Sequence, residues 1–180
     1  DPKIDISNES FPFMACGKVS ILNGIEARLF RISFSGELAY ELALPRRYAA
    51  SFMTHIFEAG KKFNLVPYGT EALGVMRIEK GHAAGNELNG QTTANNLGLG
   101  KMVSKLNDCI GNTMSEREGF NQKAALKLVG FAPTNRMQSL VAGSHFISKG
   151  NPAKLENDEG WMSSVAFSPT LNKSIGLGFI

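Results

Sequence analysis

The chain has 180 residues, 43% hydrophobic and 19% charged, with 19 Lys+Arg against 16 Asp+Glu and a formal net charge of +3. That composition supports a real core in one domain or two small ones and excludes a disordered chain. No apolar run approaches the roughly 18 residues of a membrane span, and no basic stripe with interleaved aromatics predicts a nucleic-acid partner. The three histidines, His55, His82 and His145, are scattered without metal-ligand spacing. Cys16 and Cys109 lie far apart with no CxxC partner. They allow one disulfide, but two buried, reduced thiols are expected; with no leader peptide in view, so is a cytoplasmic location.

Residues 1–16 are a polar, then apolar, extended lead-in broken by Pro2 and Pro12. Strands are predicted at Val19–Leu22 and Ala27–Phe34, joined through the hairpin signal Asn23-Gly24. Ser35-Gly36-Glu37 predicts the next turn, and Ala39–Leu44 the returning strand, ended by Pro45. Ala49, Phe52, Met53, Ile56 and Phe57 then recur at helical period from Arg46 to about Lys61, with Gly60 near the end. A second helix is predicted from Thr70 to Lys80, with Leu73, Met76 and Arg77 on one side and Gly81 ending it. Strands followed by helices give an α+β sandwich of ferredoxin-like character.

Residues 84–100 are rich in Gly, Asn and Thr and read as an ordered loop; a short helix is predicted from about Asn112 to Glu118. Beyond Ala124 short apolar runs follow one another between turn residues: Leu126–Phe131, Leu140–Val141, His145–Ile147, Met162–Phe167 and Ile175–Ile180. That pattern predicts a small antiparallel β-barrel or sandwich, of which the barrel is taken here. The boundary is placed between Lys105 and Lys123, giving an α+β domain at 1–110 and a barrel domain at 111–180. The final strand is apolar to its last residue, so the second domain is expected to be truncated.

One carboxylate stands out. With a turn centred at Gly36-Glu37, Arg31 lies across from Glu41, while Tyr40, Leu42 and Leu44 share one face and Ala39, Glu41 and Ala43 the other. Two alanines leave room above the sheet for a ligand. An ionised carboxylate only accepts hydrogen bonds, so it can take two adjacent N–H donors of a heterocycle. A cross-strand Arg31–Glu41 ion pair on a solvated face explains the same spacing. Other motifs fail. Gly98 to Lys101 lacks the third glycine of a dinucleotide fingerprint, and Met102 stands where a P-loop requires Ser or Thr.

Three separated segments, together reaching from about Phe11 to Ile180, resemble one family in the right order. The run Arg31 to Glu41 is similar to Arg-x-x-Tyr-x-Gly-Glu-x-x-(Phe/Tyr)-Glu. The run Tyr68 to Gly81 is similar to a helix ending in Arg-(Leu/Ile)-Glu-x-Gly. The run Ser163 to Phe179 is similar to a closing Ser-Pro-(Thr/Ser)-Leu segment. These belong to the folate-binding module of aminomethyltransferases (T-proteins), which sarcosine oxidase alpha subunits and dimethylglycine dehydrogenases share. T-proteins carry an Arg where this chain has Leu73, and that departure points to the oxidase branch; Leu73 itself reads better as a core leucine on a helix. The segment Lys80 to Glu87 also resembles a folate-binding iron–sulfur assembly factor. That factor has a cysteine where His82 stands here, and His82 reads as an ordinary helix-exit histidine.

The resemblance implies that Glu41 holds the pterin of tetrahydrofolate and that Phe34 packs at the folate. It puts Phe179 on an aromatic that approaches the folate, with a barrel-core phenylalanine as the equal alternative. It implies a heterotetrameric sarcosine oxidase with beta, gamma and delta subunits. That complex demethylates sarcosine to glycine and passes the one-carbon unit to tetrahydrofolate as 5,10-methylenetetrahydrofolate. NAD and flavins are implied elsewhere in the complex. A catalytic aspartate and the nucleotide-binding parts are expected upstream of residue 1, so no catalytic residue is assigned and the chain alone is expected to oxidise nothing. A T-protein-type transferase, a dimethylglycine dehydrogenase-like folate domain and a non-enzymatic module of the same fold are the alternatives.

Overall fold

The computed structural model describes residues 4–103, 110–120 and 125–180. The predicted boundary segment, Lys105 to Lys123, falls partly outside the described residues, which include only 110–120 of it, and Cys109 lies outside them. The chain forms two compact units, Asp1–Leu73 and Gly74–Ile180.

In the first unit, β1 (Cys16–Ile21) pairs antiparallel with β2 (Ile25–Phe30), and β2 with β3 (Glu41–Ala43), in the order β1-β2-β3. The first hairpin turns where Asn23-Gly24 predicts. Leu22 and Asn23 adopt positive φ (46° and 62°), and the Gly24 N–H donates to the Ile21 carbonyl at 3.1 Å. Positive φ at both central residues matches the twist of the flanking strands. Helix α1 (Ala49–Gly60) follows Pro45 and a single 3-10 turn. It stops at Asn64, whose left-handed φ of 55° lets the Leu65 N–H reach back to the Gly60 carbonyl. Cys16 is a free thiol, but an exposed one, contrary to the expectation of burial; it sits on an outward position of β1.

Helix α2 (Thr70–Lys80) has the predicted bounds. Gly81 ends it at φ 77°, with the Gly81 N–H on the Ile78 carbonyl and the His82 N–H on the Arg77 carbonyl. This is the double hydrogen bond of a Schellman ending. After a run of turns, α3 is one turn long (Asn112–Ser115).

The second unit carries β4 (Leu128–Phe131), β5 (His145–Phe146), β6 (Gly160–Ser168) and β7 (Lys173–Phe179), antiparallel in the order β4-β7-β6-β5. Its core joins Ile78 of α2 to Ile175 and Leu177, with Leu128 and Ala166 packed against them. Among the described residues these four strands do not close into the expected barrel: β4 and β5 are the edges of the sheet. The Leu140–Val141 run forms no strand. No helix among the described residues is long and apolar enough to cross a membrane.

Candidate functional site

Glu41 opens β3, directly after the 31–40 connection, and its register partner is Phe30, not Arg31. The expected Arg31–Glu41 pair is therefore not formed. Arg31 continues the ladder beside residues 11–15. Its N–H donates to the Ala15 carbonyl and its guanidinium to the Phe11 carbonyl at 2.8 Å, with the cation 5.9 Å from the Tyr40 ring centre. Glu41 is exposed, between the half-buried Tyr40 and Leu42, and Ala43 is exposed on the same face. Among the described residues its carboxylate has no ion-pair partner. Phe34 lies in the same connection with 37% of its surface exposed. The two residues share the first unit.

Phe179 belongs to the second unit. It ends β7 opposite Trp161 and Leu128, is 2% exposed, and lies with its ring centre 5.3 Å from that of Trp161. Both rings border a cavity of about 270 Å³ whose polar wall includes Asn89, Gln91, Thr92 and Asn96. An aromatic pair with nearby amide and hydroxyl groups suits a flat, polar-edged ring.

The most developed polar cluster in the second unit centres on Glu87, a residue to which the sequence reading assigns no role. Its side chain is wholly buried. One carboxylate oxygen accepts from Ser163 Oγ (2.5 Å) and Ser164 Oγ (2.6 Å). The other accepts from the Ala84 N–H and from Arg77 Nη1, both at 3.0 Å. Arg77 also donates to Ser164 Oγ at 2.7 Å and to the His82 carbonyl at 3.3 Å. Adjacent strand residues normally point to opposite faces. Here the β6–β7 register shifts between Met162 and Ser164, and the bulge allows Ser163 and Ser164 to reach the same oxygen. Burial by itself raises the Glu87 carboxyl. The two serines, the Ala84 N–H and the Arg77 charge outweigh it and hold the group below its ordinary value. His82, at the helix exit, is held below its ordinary value by burial first and then by the Lys80 and Arg77 charges. Among the described residues no group of three His, Cys, Asp or Glu could hold a metal.

The family model of the GCVT N-terminal domain matches residues 1–107. The chain belongs to this family of aminomethyltransferase domains. Sarcosine oxidase subunit alpha of Rhizobium meliloti (strain 1021) is 48% identical over 178 residues, which is 98% of this chain and 18% of that one. An aminomethyltransferase of Caldanaerobacter subterraneus subsp. tengcongensis is 33% identical over 181 residues, 98% of this chain and 45% of the other. The crystal structure of glycine cleavage system aminomethyltransferase T from Bartonella henselae matches with a TM-score of 0.67 over 86% of this chain and 41% of its own, at 22% identity. At that identity the likeness is one of fold. The chain therefore spans under a fifth of the sarcosine oxidase subunit and under half of the transferases.

Proposed function

We propose that residues 1–180 are a tetrahydrofolate-binding part of a longer polypeptide of the sarcosine oxidase alpha type. The observation that carries this reading is the 48% identity to a sarcosine oxidase alpha subunit along 98% of the chain, against 33% to a transferase. Leu73, in place of the transferases' arginine, supports the same branch. Glu41 fits the ligand: it is exposed, and Arg31 is engaged elsewhere. It accepts the ring N–H and the exocyclic amine of the pterin, while Phe34, in the connection that leads to it, supplies aromatic surface. Tetrahydrofolate supplies the acceptor for the one-carbon unit. In the whole complex sarcosine is demethylated to glycine, with NAD, flavins and the beta, gamma and delta subunits contributing from outside this chain. The family match ending at residue 107 supports a domain division near residue 110. The ferredoxin-like layering and the closing of the second sheet into a barrel belong to the same reading, completed by chain outside these residues. The one-carbon transferase is the second reading, favoured by 33% identity over 98% of the chain.

Anaerobic calorimetric titration with tetrahydrofolate, on this chain and on the longer polypeptide, tests the assignment. Losing the charged acceptor in Glu41→Gln removes about 1.5–3 kcal/mol, a weakening of roughly 10- to 150-fold. Equal affinity in both proteins takes Glu41 out of the site. No binding by the longer polypeptide ends the folate reading.

A further inference from the structure

The sheet of the first unit has one polar face, and Glu41 stands on it. Side chains alternate along a strand, and residues opposite one another in register share a face. Two neighbouring rows therefore lie on the Glu41 side. One joins Glu41 to Phe30; the next joins Ala43, Arg28 and Lys18 across all three strands. Glu41, Ala43, Arg28 and Lys18 are exposed and Phe30 is half-buried. The opposite face carries Val19, Ala27, Leu29 and Leu42, which are buried or half-buried.

The second row breaks a local rule. Lys18 and Arg28 are direct register partners, and like charges directly opposite each other destabilise a sheet. Glu26 reaches Lys18 at 3.5 Å, with both side chains 75% exposed. Arg28 has no ion pair among the described residues, not even with its diagonal neighbour Glu41. Two opposed cations, one of them uncompensated, suit an anion that carries carboxylates. Ala43, a single methyl, leaves room beside Arg28.

Spacing gives the order of the groups. With strands about 4.8 Å apart and about 3.3 Å per residue, the Arg28 backbone lies roughly 8 Å from that of Glu41. The Lys18 backbone lies roughly 12 Å away, one strand further out. Acceptor, aromatic ring and cations thus follow one another over one face. Tetrahydrofolate has the complementary order: N–H donors on the pterin, then the p-aminobenzoyl ring, then a glutamate with two carboxylates. We propose that Arg28 and Lys18 hold the glutamate carboxylates of the folate whose pterin Glu41 accepts, with the aryl ring over Phe30. This rests on the folate reading and deepens it. The Arg28 guanidinium takes a carboxylate through two parallel N–H bonds, and Lys18 adds a point charge. The pair selects a ligand that ends in glutamate over one with the same rings and no such tail.

Tetrahydropteroate tests this beside tetrahydrofolate. It keeps the pterin and aryl rings and has a single carboxylate on the aryl ring in place of the glutamate. Both are titrated anaerobically by calorimetry into the longer polypeptide in its native assembly. The parent protein is expected to bind tetrahydrofolate at least about tenfold more tightly than tetrahydropteroate. In Arg28→Gln the gap closes: tetrahydrofolate weakens about tenfold or more and tetrahydropteroate is unchanged. Lys18→Gln narrows the gap by less, and Arg28→Lys keeps part of it. Equal affinities in the parent protein overturn the proposal, as does an Arg28→Gln protein that keeps the gap or weakens both ligands alike. Glu41→Gln separates the two readings, since it weakens both ligands and keeps the gap. A gap indifferent to Arg28 beside a Glu41→Gln effect on both ligands removes the tail site and leaves the pterin site standing. No binding of either ligand by the parent protein ends the folate reading, and the tail site with it. Without ligand, Arg28→Gln melts at or above the parent temperature, because it relieves a like-charge pair. A melting temperature several degrees lower overturns the premise that the fold leaves this cation uncompensated.

Discussion

Glu41 and Glu87 are both glutamates in segments punctuated by glycine, and the two units treat them in opposite ways. Glu41 starts a three-residue strand in a unit with almost no interior among the described residues, and its exposed carboxylate has no charge partner among them. Glu87 follows a helix exit in a unit with a packed sheet, and four donors surround it out of reach of solvent. A buried ion is costly unless every lone pair is used, so Glu87 is committed to the architecture. An exposed, unpaired carboxylate makes no such demand and is free to meet a ligand. The chemistry of the residue type is identical; burial and partners decide its use.

The widest separation between the two is expected in stability. Glu87→Ala leaves the largely covered Arg77 guanidinium beside an empty acceptor site and lowers unfolding free energy by about 3–5 kcal/mol. Denaturant titration followed through Trp161, the single tryptophan and a residue of β6, reads this directly. A loss below about 1 kcal/mol breaks the contrast. Leu177→Ala, which opens the small core of the same unit, costs about 2–5 kcal/mol by the same probe. Gly178→Ala follows at about 1–3 kcal/mol, because a Cβ there meets the Trp161 carbonyl at 2.6 Å and the backbone of Met162 at 3.1 Å. Acid sharpens the comparison further. A carboxyl held low in the fold contributes fully above its ordinary value of 4.5 and loses that contribution as pH falls through the depressed one. The Trp161-monitored transition should therefore weaken as pH drops below about 4.5, and Glu87→Gln should flatten that limb. Glu41→Ala stands at the small end, within about 0.5 kcal/mol of the parent protein, since nothing in the fold leans on it.

Much of the frame was readable in advance, for local reasons. Helix α2 announces itself by apolar period and by Gly81, whose positive φ ends it where the pattern stops. The Asn23-Gly24 hairpin is equally local. Counting outward from a tight turn at Gly36-Glu37 sets the Glu41 register one residue off, since its partner is Phe30. The chain instead runs ten residues, 31–40, between the paired strands. Apolar runs after Ala124 announced strands, but closure depends on which edges meet, and no single run encodes that. Glu87 closes the segment Lys80 to Glu87, and nothing in the local pattern marks it out. The available signal was Arg77, a guanidinium on the apolar side of α2 with Leu73 and Met76, since such a group needs a buried acceptor. The serine pair at 163–164 gave no sign, because its convergence depends on a bulge.

The ties around Glu87 also bear on the order in which the protein is made. Ser163 and Ser164 lie 76 and 77 positions beyond Glu87, and Ser164 lies 87 beyond Arg77. During synthesis α2 and its exit leave the ribosome long before β6 exists. Until then Arg77 and Glu87 are without the serine hydroxyls that complete their cage, and closing so long a loop slows the step that supplies them. At about 5–20 residues per second, several seconds separate the acid from its hydroxyls. The second unit therefore sets its buried charge late, only when its last two strands are available to seal it.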